Sequence, residues 1–592
     1  MYTKLISTLR NNYIAFLFSL LVGIVYIFPH VYFILDQGEN YKGIYISRSY
    51  DEDTYYSSIR QIYDGKSATM NPYLPEYEEK TIVSAYKFIE SIIGYLGVFF
   101  NLSISSLAIL SKFIFPTLIF LSVYFFILVL FHDKLTAIFT AFFVLLGQEL
   151  APLNITSAIE TFMFQSPFHS FLLFNRPINP QVSIIFFFLV LCLLAKLWNN
   201  THSKKYAILS GIIVGFLSYI YFYYWNFTLI FLGLIFLYSI FLKEKELLKN
   251  ISISIIVSLA VAMPFIVNTL LALKTGAMSV SKNYILTHRY INEKVILLPL
   301  IVFIVIYLWN TIISKKFNIS VVLSFINEKK FLFIFLLVVT GFLATNQQVI
   351  HGYEIQQHHY HFMTNISVFI ITMSVIFSTF LKSHINKYKL FIVSLVMFVI
   401  FIHAISVQAS SYKYWVDKFG HFQDYSPVFD WLNNNSKADD VVYSSTEISE
   451  IIPVYTHNSV YGSLHASVYP VPTERLAHNY FTLMYLRGIS GKEVKTYLYD
   501  EKYRNEFGHM VFEGQYWRSV CGSFGCFPDS VLDSYIKNYE LLVKDSFETN
   551  LKKYKIDYIL WDSELNPEWE IDKFNFVKEV FRHESIHLFS VI

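Results

Sequence analysis

The chain has 592 residues, of which 54% are hydrophobic and only 15% are charged. Soluble domains carry roughly a quarter charged residues, so this composition excludes an ordinary soluble enzyme and indicates a membrane protein. Sparse glycine (21) and proline (16) exclude collagen-like and disordered chains, and a formal net charge of +2 without a basic patch gives no indication of nucleic-acid binding.

Apolar runs recur through the first two thirds of the chain. A membrane helix needs about 20 mostly apolar residues. Eleven runs approach or reach that length, at approximately 12–35, 105–131, 135–150, 180–198, 206–223, 226–242, 250–272, 295–313, 331–346, 365–381 and 388–408. We therefore expect a polytopic α-helical membrane protein with about eleven transmembrane helices.

The lysines favour one set of connecting loops. Lys134, Lys204, Lys245, Lys316 and Lys387 all fall on that side, and the opposite loops hold few basic residues. Because cytoplasmic loops carry an excess of lysine and arginine, this bias predicts a cytoplasmic N-terminus. We expect a multi-pass protein of the plasma (inner) membrane.

The first outer loop, 36–104, contains a second kind of helix. Apolar side chains recur at helical spacing over 82–100, but Lys87 and Glu90 interrupt the run. This pattern predicts an amphipathic helix in the outer interface. The loop and the spans together form a predicted transmembrane domain, 1–408.

The tail, 409–592, is polar and rich in tyrosine. Strand-like runs at 440–445, 556–562 and 586–592 alternate with helical stretches at 427–435 and 529–554, which predicts a small extracytoplasmic α/β domain. Cys521 and Cys526 either form a disulfide in an oxidising compartment or remain two free thiols.

Three consecutive acids, Asp51, Glu52 and Asp53, follow the first membrane helix. One interpretation is a solvated acidic turn at a helix N-terminus, where the helix dipole favours carboxylates. The other is a carboxylate base or cation-binding pair at the membrane surface.

The motif Asp51-Glu52-x-x-Tyr55 resembles the Asp-Glu-x-x-Tyr motif of the GT-C membrane glycosyltransferases, in particular protein O-mannosyltransferases and lipid A aminoarabinose transferases. In that family the motif follows the first membrane helix and precedes an amphipathic interfacial helix, and the same order occurs here. Residues 77–80 are similar to the family's Tyr-x-Glu-Lys-Pro-Pro stretch and end in Lys80, but both prolines are replaced.

The resemblance implies a GT-C-like fold and an inverting transferase with a polyprenyl-phosphate-linked sugar as donor. A glycan, lipid or protein would be the acceptor. Asp51 would act as general base, and Glu52 or Asp53 would position the acceptor or a cation. Tyr55 and Lys80 would contact substrate or lipid phosphate.

A histidine cluster precedes the tenth run. It consists of His351, Glu354, His358, His359, Tyr360 and His361. These side chains suit a divalent metal ion, and they equally suit a polar membrane interface. By resemblance, His359-Tyr360 stands where related transferases have an Arg-Tyr pair, so His358, His359 and Tyr360 would contact the phosphate of the lipid carrier.

Arg176 is the only basic residue of the outer loop 151–179. A guanidinium suits bidentate phosphate recognition. Alternatively, Pro177 and Pro180 simply begin a helix, and Arg176 extends toward water.

The expected function is therefore glycosyl transfer at the outer membrane face. The alternative is a transporter or flippase for a lipid-linked saccharide. A transporter predicts ionisable residues along a path through the bilayer, and the predicted spans are nearly free of them.

Overall fold

A computed structural model describes residues 10–47, 51–78, 87–151, 170–275, 288–308, 328–352, 357–512 and 525–592. The chain divides into two compact units. The first, here the helical unit, comprises Met1–Asp36, Ala108–Ile266 and Thr287–Val416. The second, here the mixed unit, comprises Gln37–Leu107, Val267–Leu286 and Asp417–Ile592.

Apolar helices of the described residues coincide with the predicted runs. They are Tyr13–Gln37, Ile104–Phe131, Lys134–Leu146, Ser183–Asn199, Lys204–Leu217, Phe222–Phe241, Lys245–Thr275, Lys294–Leu308, Lys329–Asn346, Ile366–His384 and Asn386–Phe422. Within the described part of the chain, seven helical segments are long and apolar enough to cross a membrane. A multi-pass helical membrane protein is thus confirmed, and the count of eleven spans remains a prediction.

Small residues allow the helices Lys204–Leu217 and Lys245–Thr275 to approach closely. Gly211 and Gly215 lie one turn apart on the helix Lys204–Leu217. A Cβ atom on Gly211 would lie 2.6 Å from the carbonyl oxygen of Ser254, and one on Gly215 would lie 2.6 Å from that of Ser258. Between membrane helices, where the hydrophobic effect adds little, such close packing supplies the attraction.

The first-loop part of the mixed unit contains the helices Glu52–Tyr63 and Phe88–Phe99. Residues 82–86 of the predicted amphipathic helix lie outside the described residues. From Phe88 onward the helix is amphipathic, because Ile89 and Ile93 are buried whereas Tyr95 is exposed.

The tail part of the mixed unit consists of helices and a small β-sheet. Its helices are Ser426–Asn435, Thr446–Tyr455, Thr473–Leu486, Val494–Tyr499, Glu501–Phe512, Asp529–Leu542 and Phe547–Leu551. The predicted helix 529–554 is therefore two helices, because Ser546 caps a new one by accepting a hydrogen bond from the backbone N–H of Thr549 at 3.1 Å.

The sheet has five strands in the order β2-β1-β3-β5-β4. The strands are β1 (Val441–Tyr443), β2 (Ser459–Val460), β3 (Tyr558–Asp562), β4 (Val577–His583) and β5 (Ile586–Val591). Strands β2, β1 and β3 run parallel, and β5 is antiparallel to both β3 and β4. Strands β1, β3 and β5 match the predicted strand runs. The prediction missed β2, which is only two residues long, and β4, an edge strand that contains the charged residues Lys578, Glu579 and Arg582.

The cysteines differ in state. Cys526 is disulfide-bonded and Cys192 is a free thiol. Cys521 lies outside the described residues.

Within the mixed unit, the first outer loop and the tail are joined by buried hydrogen bonds. The side chain of Gln423 accepts hydrogen bonds from the backbone N–H groups of Lys42 (2.9 Å) and Ile44 (3.3 Å) and donates to the carbonyl of Ile44 (2.7 Å). The backbone N–H of Val460 donates to the carbonyl of Tyr73 at 2.8 Å. Residues 37–107, which the sequence analysis placed with the spans, therefore pack against the tail.

Replacing Gln423 by leucine tests this connection. The variant leaves three backbone groups without their partner, two of them on the buried Ile44, so we expect the free energy of unfolding to fall by about 3 kcal/mol. Denaturant unfolding of the purified protein measures the change. The matched control is Asn434→Leu, at an exposed position of the adjacent helix, and equal stability of the two variants would contradict the role given to Gln423.

Candidate active site

The helix Glu52–Tyr63, here the acidic helix, carries the predicted catalytic acids at its N-terminus. Asp51 immediately precedes the first turn, where the helix dipole favours a carboxylate. Asp51 is half-buried, Glu52 is fully buried and Asp53 is only 9% exposed. A solvated acidic turn therefore does not describe Glu52 and Asp53, because a buried carboxyl group needs hydrogen-bond partners or a proton.

Phenolic hydroxyl groups contact the acidic helix. The Tyr45 hydroxyl donates to Oε2 of Glu52 at 3.4 Å. Burial raises the pKa of Tyr45 well above its usual value, with the nearby Glu52 charge adding to the effect, so Tyr45 remains a neutral donor. The Tyr73 hydroxyl lies 3.3 Å from Oγ of Ser57, one helical turn beyond Asp53.

A fourth carboxyl group, Glu450, comes from the tail helix Thr446–Tyr455. It is buried, and its carboxylate accepts hydrogen bonds from the backbone N–H of Leu464 (2.6 Å) and from Oγ of Ser463 (3.0 and 2.9 Å). Its charge acts on Asp53. The sequence analysis missed Glu450, because nothing in its local sequence links it to the first outer loop.

Asp53 has an unusual proton affinity. Burial raises its pKa well above the ordinary value of 3.8, and the charges of Glu450, Glu52 and Asp51 raise it further. The Lys418 ammonium opposes these effects in part. Asp53 therefore keeps its proton to a higher pH than an exposed aspartate, a property common among groups that take part in acid–base chemistry.

Lys87 is a lysine whose side chain contacts the acidic helix. Its Nζ donates to Oγ of Ser58 at 3.0 Å and lies 4.0 Å from Glu90. Its charge also interacts with Tyr55. Lys80 lies outside the described residues, so the role given to it remains a prediction.

In the helical unit, the structure brings Arg176 near part of the histidine cluster. One Nη of Arg176 donates to the carbonyl of Asn179 at 2.5 Å. Its guanidinium is also close enough to His358 and Tyr224 for electrostatic interaction. Two residues later, Ile178 has φ of +59°, a conformation that is strained for a β-branched residue. Such strain is concentrated at functional sites.

His359 is held by two tyrosines of the same unit. The Tyr221 hydroxyl lies 2.5 Å from Nδ1 of His359. The Tyr223 ring stacks on the imidazole, with ring centroids 4.5 Å apart. These contacts fix the orientation of the imidazole.

Tyr360 is fully buried, unlike its histidine neighbours. Its hydroxyl donates to Oδ1 of Asn226 at 2.7 Å and accepts from Nε2 of Gln347 at 2.9 Å. A π-helical turn, His361–Asn365, follows directly, and such turns are frequent at functional sites. Tyr360 therefore supports the segment from inside the helical unit.

Among its described members, the histidine cluster shows no arrangement that would hold a metal ion. Glu354 lies outside the described residues. His361 pairs with Glu293 at 3.0 Å. Among the described residues, no group of three or more histidine, cysteine, aspartate or glutamate side chains is arranged to hold a metal ion.

Lys112 is a charged residue that the sequence analysis overlooked. It lies inside the helix Ile104–Phe131 and is fully buried. Its Nζ donates to the backbone carbonyl of Asn175, next to Arg176. Lys112 is therefore an exception to the expectation that the spans are nearly free of ionisable residues. Within a hydrophobic helix of 28 residues, one lysine hardly changes the average hydropathy.

Comparison with known proteins finds similarity to solved structures. No family model and no curated protein matches the sequence. The apo oligosaccharyltransferase of Archaeoglobus fulgidus is 12% identical, with a TM-score of 0.48 over 94% of this chain and 70% of that chain. The oligosaccharyltransferase AglB of the same organism, in complex with an inhibitory peptide and a dolichol-phosphate, is 13% identical, with a TM-score of 0.49 and the same coverage.

The third structure is ArnT from Cupriavidus metallidurans bound to undecaprenyl phosphate. It is 11% identical, with a TM-score of 0.41 over 75% of this chain and 84% of that chain. The solved structures that are similar to this chain thus include GT-C glycosyltransferases. The Asp51-Glu52-x-x-Tyr55 motif of this chain resembles a motif of the same class of enzymes. The described helices and side chains define a multi-pass membrane protein. Its mixed unit contains a buried acidic cluster, and its helical unit contains the cationic side chains of Arg176 and Lys112.

The raised pKa of Asp53 predicts a pH-dependent stability. Because the pKa in the folded state lies above the ordinary 3.8, folding disfavours the ionised form. Stability is therefore lost as the pH rises from about 4 through the folded pKa. We expect Asp53→Asn to raise the unfolding temperature at pH 7 by roughly 2 °C or more and to leave it unchanged near pH 4.

Thermal unfolding of the purified protein between pH 4 and pH 8 measures this effect. The exposed Asp572 provides the control variant, Asp572→Asn, which should unfold like wild type throughout. A lower unfolding temperature of Asp53→Asn at pH 7 would mean that the Asp53 carboxylate stabilises the fold.

Proposed function

We propose that this protein is an inverting membrane glycosyltransferase, which moves a sugar from a polyprenyl-phosphate donor to a glycan, lipid or protein acceptor. The observation that carries the proposal is the acidic helix. It presents the half-buried Asp51 at its N-terminus, in the motif position of a GT-C transferase, and buries two further carboxyl groups directly behind it.

In this proposal Asp51 is the general base. Its carboxylate accepts the proton of the acceptor hydroxyl group as the hydroxyl oxygen bonds to the anomeric carbon of the sugar. The bond between that carbon and the phosphate oxygen breaks at the same time, and polyprenyl phosphate leaves with the electron pair. Attack opposite the leaving group inverts the anomeric configuration.

The neighbouring acids have supporting roles. Glu52 is fully buried against Tyr45, so it fixes the start of the acidic helix and does not contact the acceptor. Asp53 is the group that positions the acceptor or a divalent cation. Tyr55 lies on the same helix and would contact the substrate, as would Lys80.

The leaving phosphate gains negative charge as the glycosidic bond breaks. Arg176 supplies a guanidinium that binds phosphate oxygens in a bidentate manner. His358 and His359 supply imidazole N–H donors beside it. Fixed donors and charges aimed at a developing negative charge are among the largest contributions to catalysis.

We further propose that transfer occurs at the outer face of the plasma (inner) membrane. The lysine bias of the loops supports a cytoplasmic N-terminus and an extracytoplasmic tail.

Replacing Asp51 by asparagine tests the assignment of the base. Asparagine has nearly the same shape but cannot accept the proton, so we expect kcat to fall by about 10²–10⁴-fold. The assay measures transfer of radiolabelled sugar from polyprenyl phosphate by purified protein. Asp572→Asn is the control and should retain full activity. If Asp51→Asn is as active as wild type, the base is another residue.

Variants at Arg176 test the phosphate site. Lysine keeps the charge but loses the planar fork, so we expect Arg176→Lys to lower kcat/KM about 10-fold. Glutamine removes the charge, and we expect Arg176→Gln to lower kcat/KM about 100-fold or more. The same transfer assay, at varied donor concentration, measures both. Wild-type kinetics for Arg176→Gln would exclude Arg176 from phosphate binding.

A further inference from the structure

The turn that carries Arg176 is supported from inside the helical unit by polar side chains. The side chain of Gln408 accepts a hydrogen bond from the backbone N–H of Leu172 at 3.1 Å, and the amide of Asn175 donates to it at 3.4 Å. Nε2 of His30 lies 3.3 Å from Oδ1 of Asn175. Gln408, His30 and Asn175 are all buried.

Two consecutive carbonyl groups of this turn have different donors. The carbonyl of Phe174 accepts from Nε2 of Gln181 at 3.0 Å, and both residues are fully buried. The next carbonyl, that of Asn175, accepts from Nζ of Lys112. A neutral amide thus satisfies one buried carbonyl, whereas an ammonium group satisfies its neighbour.

A hydrogen bond to a backbone carbonyl does not by itself require the positive charge of a lysine. A charged side chain within a membrane-spanning helix is expensive, and such residues mark functional sites by default. Gln181 shows that a neutral donor serves in the same turn. The added feature of Lys112 is its positive charge, placed at the peptide group that joins Asn175 to Arg176.

The position along the helix is consistent with a role near the membrane surface. Lys112 is the ninth residue of Ile104–Phe131, which places it about 12 Å from the start of the helix. By the loop charges, that end of the helix is the outer one. Lys112 is fully buried, and its Nζ donates to the backbone.

We propose that Lys112 is a positioning residue of a site for a lipid-linked phosphate monoester. From beneath the turn, Lys112 holds Asn175 so that Arg176 is oriented toward the phosphate, and its charge adds to the positive potential there. The inference rests on the proposed function, because it takes as the ligand the polyprenyl phosphate that leaves the donor when the glycosidic bond breaks. It adds a second cation, which does not contact the ligand, to the site of Arg176.

The test compares two lipids that differ only in the phosphate group. Undecaprenyl phosphate and undecaprenol are titrated against the full-length protein in lipid nanodiscs, and the ratio of the two Kd values measures the preference for phosphate. We expect Lys112→Met, which nearly preserves side-chain length, to reduce this ratio at least 10-fold. The Kd for undecaprenol should change less than threefold.

A purely structural role for Lys112 would give a different result. Loosening the fold would weaken binding of both lipids alike and leave the ratio within twofold of wild type, which would overturn the inference. If Lys112→Met does not fold, Lys112→Gln carries the same test, because glutamine keeps an N–H donor without the charge. The thermal unfolding temperature of each variant is measured in parallel.

Two competition arms identify the source of the phosphate. Inorganic phosphate and phosphatidylglycerol vesicles are each added to bound undecaprenyl phosphate. We expect neither to displace it at equal concentration, and displacement by either would overturn the assignment to a polyprenyl phosphate monoester.

Failure of the inference and failure of the proposed function are distinguishable. If wild type shows no preference for undecaprenyl phosphate over undecaprenol, the proposed donor class is wrong. If wild type prefers undecaprenyl phosphate, Arg176→Gln loses the preference and Lys112→Met retains it, then only the role of Lys112 is wrong.

Discussion

Hydrocarbon provides no hydrogen-bond partner for a buried polar group, and the arrangement of this protein follows from that constraint. In the helical unit, many described polar side chains bond to backbone or to one another, as Tyr26 does with the carbonyl of Leu145 at 2.6 Å. Many polar residues of the spanning helices are therefore tied to a definite partner. This is why the pairing of Lys112 with the carbonyl of Asn175 carries information about function.

In the mixed unit, buried polar groups also need partners, and here the buried groups include carboxyl groups. Its acidic helix buries carboxyl groups, and segments far apart in the sequence supply what surrounds them. Tyr45 comes from the first outer loop, whereas Glu450 comes from the tail. A carboxyl group in such surroundings holds its proton more tightly, which is how burial produces the raised pKa of Asp53.

Local patterns in the sequence were sufficient for part of this description. The apolar runs predicted the described membrane helices, and the acidic motif after the first helix indicated the candidate active site. Strand β4 was missed because an edge strand with charged residues has no apolar alternation. Local sequence could not identify Glu450 and Gln423, since a contact between the first loop and the tail depends on tertiary structure. Lys112 was overlooked because a span is recognised by its average hydropathy.

In the candidate phosphate site too, local sequence identifies some residues and not others. Arg176 and His358 were each chosen from local sequence, and the structure places them within electrostatic reach of one another. The supports of the turn, His30 and Gln408, lie on two other helices and have no sequence pattern of their own. The sequence analysis identified Arg176, the histidines and the buried Tyr360, whereas His30 and Gln408 became apparent only from the fold.

The central claim is that this protein breaks the bond between a sugar and polyprenyl phosphate. The most direct measurement follows a radiolabelled polyprenyl-phosphate sugar in nanodiscs and in sealed vesicles that contain the purified wild-type protein. The account predicts that label leaves the lipid and forms a glycosidic product, with one free polyprenyl phosphate released for each sugar transferred. Movement of intact labelled lipid across the vesicle membrane without any glycosidic product would contradict it and would establish a flippase.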